Sequence, residues 1–201
     1  RGAGMYIKDS TGDLTLSDTA FDGNIANIEG GAVYNKASTA VVNDCSFVNN
    51  ASIQGGAWLS YIGGDAVITN SVFSNNRATN TGGAAEVRNL SALQFTQCLF
   101  DSNIADSDCD GGGGSSVVEI VNSTVTLNNP TICNNLVCDV SGDFSEEQPA
   151  IIGEVLECVI GIGACCGGNA CWEMEEEMCL EGGGLWNGDT TLCATVVCEG
   201  G

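Results

Sequence analysis

A four-residue motif that returns at an almost constant spacing limits what this chain can fold into more than any other feature. Phe21-Asp22-Gly23-Asn24, Phe47-Val48-Asn49-Asn50, Phe73-Ser74-Asn75-Asn76 and Phe100-Asp101-Ser102-Asn103 place their phenylalanines 26, 26 and 27 residues apart. A glycine pair follows each copy, at Gly30-Gly31, Gly55-Gly56, Gly82-Gly83 and within Gly111 to Gly114. Gly2-Ala3-Gly4-Met5 reads as a degenerate opening copy, and Ile132-Cys133-Asn134-Asn135 as a weaker fifth unit. Self-similarity at such a period is the mark of a solenoid, because one unit cannot bury an apolar face alone and must stack on its neighbours.

Within each unit lie short runs with strand character, such as Leu14-Thr15-Leu16, Ala40-Val41-Val42 and Ala66-Val67-Ile68-Thr69, separated by Gly or Asn. None of these units holds ten residues of helical periodicity. The expected fold is therefore all-β: a right-handed, single-stranded parallel β-helix of about five coils over residues 1–145, with coils about 4.8 Å apart. In that fold Phe21, Phe47, Phe73 and Phe100 stack as an internal ring ladder. Asn24, Asn50, Asn76 and Asn103 are expected at one corner, where Asn tolerates left-handed backbone and its amide bonds to the next copy. The glycine pairs permit close corners that a Cβ would obstruct.

The pairing of Gly-Gly-Ala-Val (residues 30–33) and its later copies with the Phe-x-x-Asn motif resembles the GGA[IVL] and FxxN repeats of polymorphic outer-membrane-type proteins. It is similar also to other pectate-lyase-like β-helix proteins. The resemblance covers residues 1–145 and rests on repetition rather than on any single copy. It implies a secreted or surface-displayed solenoid, commonly an adhesin or passenger domain.

A polar, acidic stretch from Ser141 to Gln148 ends at Pro149, and residues 146–157 read as a linker or as a cap on the solenoid's end. From Cys158 the composition changes: seven of the twelve cysteines fall in the last 44 residues. Cys165, Cys166, Cys171, Cys179, Cys193 and Cys198, with Gly182 to Gly188 around Trp186, make residues 158–201 similar to a small module found after β-helices in secreted bacterial proteins, planctomycete ones among them. Six cysteines in so short a unit read as three disulfides, since it cannot bury enough apolar surface unaided, and the pairing stays open among 15 connectivities. The acids Glu173, Glu175, Glu176 and Glu177 read as a solvated face. Cys109, Cys133, Cys138 and Cys158 suffice for two bridges near the exit of the stack. Cys45 and Cys98 stand two coils apart, about 9.6 Å, beyond disulfide reach, and read as buried free thiols.

Charge and composition remove whole classes of function. With 26 acids against 5 bases the net charge is −21, so nucleic acid is excluded as a partner. The chain has no histidine, which excludes Ser-His-Asp and Cys-His catalysis and every His-containing metal site. It has no apolar run of membrane-spanning length. An even cysteine count points to an oxidising compartment, so the expected location is extracellular, secreted or at the cell surface.

Asp106, Asp108 and Asp110 form a D-x-D-x-D-G string, which makes them candidate Ca²⁺ ligands, although the twelfth loop position is Val117 rather than a bidentate acid. A lyase would need a base, and Arg77 and Arg88 are the ones available in mid-stack. A hydrolase would need paired carboxylates on adjacent strands, and Asp44, Asp65 and Glu86 do not share a repeat position. No catalytic and no cofactor-binding residue is therefore expected. Asn50, Asn89 and Asn122 head N-x-S/T sequons, which matter only in a glycosylating host. The expected function is a secreted, non-catalytic structural or adhesive protein. Its expected partners are copies of itself, joined head to tail into a filament or layer through an end coil bearing Met5, Tyr6 and Ile7, and surface glycans. A carbohydrate-active β-helix enzyme is the alternative.

Overall fold

The computed structural model describes residues 1–12, 14–107 and 114–137, together with strands at 150–152, 156–157, 162–167, 170–175 and 185–189. The chain divides into two compact units, Arg1–Glu157 and Cys158–Gly201. The first is an all-β parallel solenoid of about four turns, and no helix occurs among the described residues. Five coils were expected. Five strands of one sheet enclose four complete turns, and what lies beyond them is a partial coil.

Four sheets wall the solenoid. Sheet A stacks Met5–Lys8, Val33–Lys36, Trp58–Tyr61, Ala85–Arg88 and Val118–Val121. Sheet B stacks Leu14–Ser17, Thr39–Asn43, Asp65–Thr69, Ala92–Thr96, Thr124–Asn128 and Ala150–Ile152. Sheet C stacks Ala20–Asp22, Ser46–Val48, Val72–Ser74, Leu99–Asp101, Thr131–Cys133 and Leu156–Glu157. Sheet D is the shortest, with Ala51–Gln54, Arg77–Thr81, Ile104–Ala105 and Leu136–Val137. The stretch 146–157, read from sequence as a linker or cap, thus adds a strand to sheet B and another to sheet C. In the second unit Ile162–Gly167 pairs antiparallel with Ala170–Glu175 and with Leu185–Asp189.

Register is held by identical residues meeting across coils. Phe21, Phe47, Phe73, Phe100 and Ile132 are successive partners in sheet C. The phenylalanine rings stack at centroid distances of 5.1, 4.6 and 5.3 Å, and Trp58 and Phe95 meet the column edge-on from sheets A and B. A one-residue slip would turn every ring toward water, which makes this column the fold's strongest register signal. Valines, leucines and isoleucines of sheets A and B fill the remaining core.

Beside the rings runs a chain of amides. Each Nδ2 donates to the Oδ1 of the next coil: Asn24 to Asn50 at 2.9 Å, Asn50 to Asn76 at 3.0 Å, Asn76 to Asn103 at 2.9 Å and Asn103 to Asn135 at 2.8 Å. The second hydrogen of Asn50, Asn76 and Asn103 goes back to the carbonyl of Phe21, Phe47 and Phe73, and their backbone N–H groups donate to the next amide oxygen. The left-handed residue at this corner is not the ladder asparagine. It is the residue before it, Gly23, Asn49, Asn75, Ser102 or Asn134, each at φ between 50° and 67°. The Asn-Asn doublets therefore divide two tasks, the first residue bending the chain and the second linking coils.

Asn76→Ala is expected to lower stability by about 3 kcal/mol, because it leaves the buried N–H of Asn50 and one of its amide hydrogens without acceptors. Denaturant midpoints measure this; a loss below about 1 kcal/mol would reject the ladder as a stabilising element.

Candidate functional site

Alternation along sheet A sends the first and third residues of each strand inward and the second outward. The outward column reads Tyr6, Tyr34, Leu59, Glu86, Glu119 in register. Such a column should be wet, yet Tyr34 and Leu59 are fully buried and Glu86 is 1% exposed. The reason is the return from sheet D to sheet A, which brings Glu29, Gln54 and Thr81 over this face. Thr81 Oγ1 donates to Glu86 Oε2 at 2.8 Å, and Arg88 Nη1 donates to Gln54 Oε1 at 2.9 Å. Arg88 also pairs with Glu86 Oε1 at 3.1 Å and with Glu29, while Arg1 Nε pairs with Glu29 Oε2 at 2.9 Å.

This face gathers most of the cationic and phenolic groups of the chain. Arg1, Lys8, Lys36 and Arg88 lie here, four of the 5 bases, and so do all three tyrosines. Lys36 and Arg88 both stand over the Tyr61 ring, at 5.8 and 5.2 Å, and Arg1 stands over Tyr34 at 5.5 Å. Toward the first coil the face opens, with Tyr6 47% exposed and Lys8 in solvent.

Burial raises the Glu86 carboxyl to about 7, against the opposing pull of Arg88 and Thr81, and neighbouring Glu119 adds to the rise. Burial first, and then the Glu29 charge, pushes the Tyr34 hydroxyl up to about 12. Its Oη has no hydrogen-bond partner among the described residues.

Glu86 and Glu119 correct the sequence reading of the carboxylates, because they do share a repeat position on adjacent strands. The spacing signal existed: Tyr34, Leu59 and Glu86 each stand three residues after the second glycine of a pair. In the last strand of sheet A the pair is replaced by Ser115-Ser116, whose carbonyls accept from Gly83 and Ala84, and not by any of Gly111 to Gly114. Counting from Ser116 places Glu119 in the column. Ser115 N–H binds the Glu119 carboxylate at 2.7 Å.

The other candidates named from the sequence separate widely. Asp106 is fully buried at φ 50°, and its carboxylate oxygens have no hydrogen-bond partner among the described residues, while Asp108 and Asp110 lie outside them. Among the described residues no group of three acids or cysteines is placed to hold a metal. Arg77 is exposed in sheet D, on a different wall of the solenoid from the Arg88 cluster. Asp44 sits at a left-handed corner, and Asp65 Oδ1 accepts from Ala92 N–H at 2.8 Å in sheet B.

The Asn50 sequon is closed, since its side chain is fully buried and both amide hydrogens are committed. Asn89 and Asn122 are exposed at left-handed corners. Cys45 and Cys98 are buried free thiols, and burial pushes the Cys98 thiol up to about 11. Cys133 is disulfide-bonded. Cys165, Cys166 and Cys171 lie in the strands of the second unit, and Cys109, Cys138, Cys158, Cys179, Cys193 and Cys198 lie outside the described residues.

Among the described residues no helix is long and apolar enough to cross a membrane. Residues 18–36 match the family model of the Chlamydia polymorphic membrane protein (Chlamydia_PMP) repeat. No curated protein and no solved structure matches the chain. The matched repeat and the parallel stacking of its copies together make this chain a β-helix repeat protein.

Proposed function

We propose that this protein is a non-catalytic structural or adhesive component, secreted or displayed at a cell surface, whose copies join head to tail through the ends of the solenoid. The resemblance of its repeats to a surface-protein family supports the location. The observation that carries the assembly is a charge asymmetry. The cationic, aromatic face of sheet A opens at the first coil through Tyr6 and Lys8. Residues 158–201 carry Glu173, Glu175, Glu176, Glu177, Glu181, Asp189 and Glu199 and no base. The attracting part is the Tyr6 and Lys8 patch rather than the first coil as a whole, in which Asp9 pairs with Lys8. This patch attracts the second unit of another copy, while their shared negative charge resists side-on association. A contact between unlike surfaces does not close on itself and generates a filament.

A polysaccharide hydrolase is the second reading, favoured by one observation: Glu86 and Glu119 are adjacent carboxylates and Glu86 holds its proton to about pH 7. Against it, both are buried, with Glu86 bonded to Thr81 and Glu119 to Ser115 N–H.

Electron microscopy of the native material tests the assembly. Fibres with an axial repeat near one subunit's length are expected, and Lys8→Glu is expected to disperse them. Single particles at high concentration reject the assembly, and release of reducing ends from a polysaccharide rejects the non-catalytic reading.

A further inference from the structure

The outer face of sheet B differs from the rest of this acidic surface. Of the outward positions on the four strands from Thr39–Asn43 to Thr124–Asn128, Asp65 alone ionises. One outward column reads Thr15, Val41, Val67, Gln94, Thr126, so hydroxyls and an amide flank a pair of valines along the solenoid.

Two adjoining hollows indent this face, and both are lined by Asp65, Ala92 and Thr124. One is about 200 Å³ and extends toward Thr39 and Gln94. The other is about 420 Å³ and extends over Leu90 and Asn122. The floor is low because Ala92 presents a single methyl group between Asp65 and Thr124. The rim is high because the corner before it holds Asn89 and Leu90 both in left-handed backbone, which leaves Leu90 79% exposed.

We propose that this groove binds a neutral oligosaccharide chain, an inference that rests on the adhesive reading above and supplies its ligand class. Charge argues for it first: the lining has no cation to hold an anionic sugar or a phosphate, and its one carboxylate repels both. Chemistry argues second. Threonine hydroxyls and the amides of Gln94 and Asn122 match sugar hydroxyls, and Leu90 and Val67 match the apolar faces of sugar rings. Size argues third. Six strands of three to five residues, at ~3.3 Å per residue and ~4.8 Å between strands, give a face of roughly 400 Å². That is about half of what each partner of a stable protein complex buries, so a second protein is disfavoured and an extended chain lying along the stack is favoured.

The test uses the intact chain and titration calorimetry with soluble neutral oligosaccharides, namely β-1,4-linked gluco-, xylo- and manno-oligosaccharides, and oligogalacturonate as the anionic probe. Binding of at least one neutral series is expected, with none to oligogalacturonate. Ala92→Lys, at an exposed position, should weaken it at least tenfold with an unchanged melting temperature, and Thr15→Lys, on the same face beyond the groove, should leave it intact. No neutral binding, a preference for oligogalacturonate, or binding that survives Ala92→Lys overturns the proposal. Filaments without sugar binding reject the groove alone, and sugar binding without filaments rejects the assembly alone.

Discussion

Gly56→Ala is expected to abolish folding, although it adds a single methyl group. A Cβ at Gly56 would lie 2.1 Å from the Gly83 carbonyl oxygen and 2.9 Å from backbone atoms of Arg77. Every obstructing atom is main chain, so no side chain can swing aside. Gly31 and Gly83 repeat the situation, at 1.9 Å from the Gly56 oxygen and 2.4 Å from the Ser116 oxygen. The cause is space rather than torsion, because these second glycines do not have left-handed backbone.

Gly63 is the opposite case, with φ 66° and nothing within 4 Å of an added Cβ, and Ala there should cost only about 1 kcal/mol. Gly56→Ala should cost more than about 4 kcal/mol, which is comparable to the whole stability of many domains. The measurement is thermal unfolding by far-ultraviolet circular dichroism. Loss of the cooperative transition is expected, and melting within a few degrees of the parent would show that the coils are not this closely stacked. Ser116→Gly, at the same repeat position just before the last described strand of sheet A, should change stability by less than about 1 kcal/mol.

That contrast explains which parts of the fold were legible. A parallel solenoid places one residue of each coil at the same site, so the sequence states the same requirement at Phe21, Phe47, Phe73 and Phe100, and the repetition itself reveals the stack. A glycine, however, is required only where another coil crosses it. Among the described residues sheet A ends at Val118–Val121. Ser115-Ser116 therefore stands where glycines stood before, and the run Gly111 to Gly114 drew the sequence reading away from it.

The outer column of sheet A was hidden for a different reason. Its members, Tyr34, Leu59, Glu86 and Glu119, are chemically unlike, because each answers to whatever Glu29, Gln54, Thr81 or Ser115 places above it rather than to a repeated neighbour. Pattern alone also suggested that an outward residue is a wet one. Nothing local in the sequence says that the return from sheet D covers this face.

Arg88→Met should show what that cover requires. The substitution preserves most of the apolar stem and removes the guanidinium that pairs with Glu29 and Glu86 and donates to Gln54. Breaking a buried pair by deleting one partner leaves a charge without compensation and costs about 3–5 kcal/mol. The cost should depend on pH, and the sign follows from Glu86. Its folded-state carboxyl is raised from 4.5 to about 7, chiefly by burial.

A carboxyl raised in the folded state contributes stability below its unfolded value and loses it as pH climbs through the folded one. In the parent this group alone should therefore remove about 3 kcal/mol between pH 4.5 and pH 7. Arg88 works against that rise, so deleting it moves the folded value higher still and extends the loss beyond pH 7. The difference in melting temperature between parent and Arg88→Met should accordingly be smaller at pH 5, where only the contacts with Glu29 and Gln54 are lost, and should grow as pH rises through 7. Because the other carboxylates are common to both proteins, the difference isolates this cluster. Glu86→Gln should flatten the parent's own profile across the same window and recover part of the stability lost in Arg88→Met, the remainder belonging to Glu29. A penalty of equal size at pH 5 and pH 8 would mean that Arg88 acts through Glu29, Gln54 and packing over Tyr61 and not by holding Glu86 in its charged form.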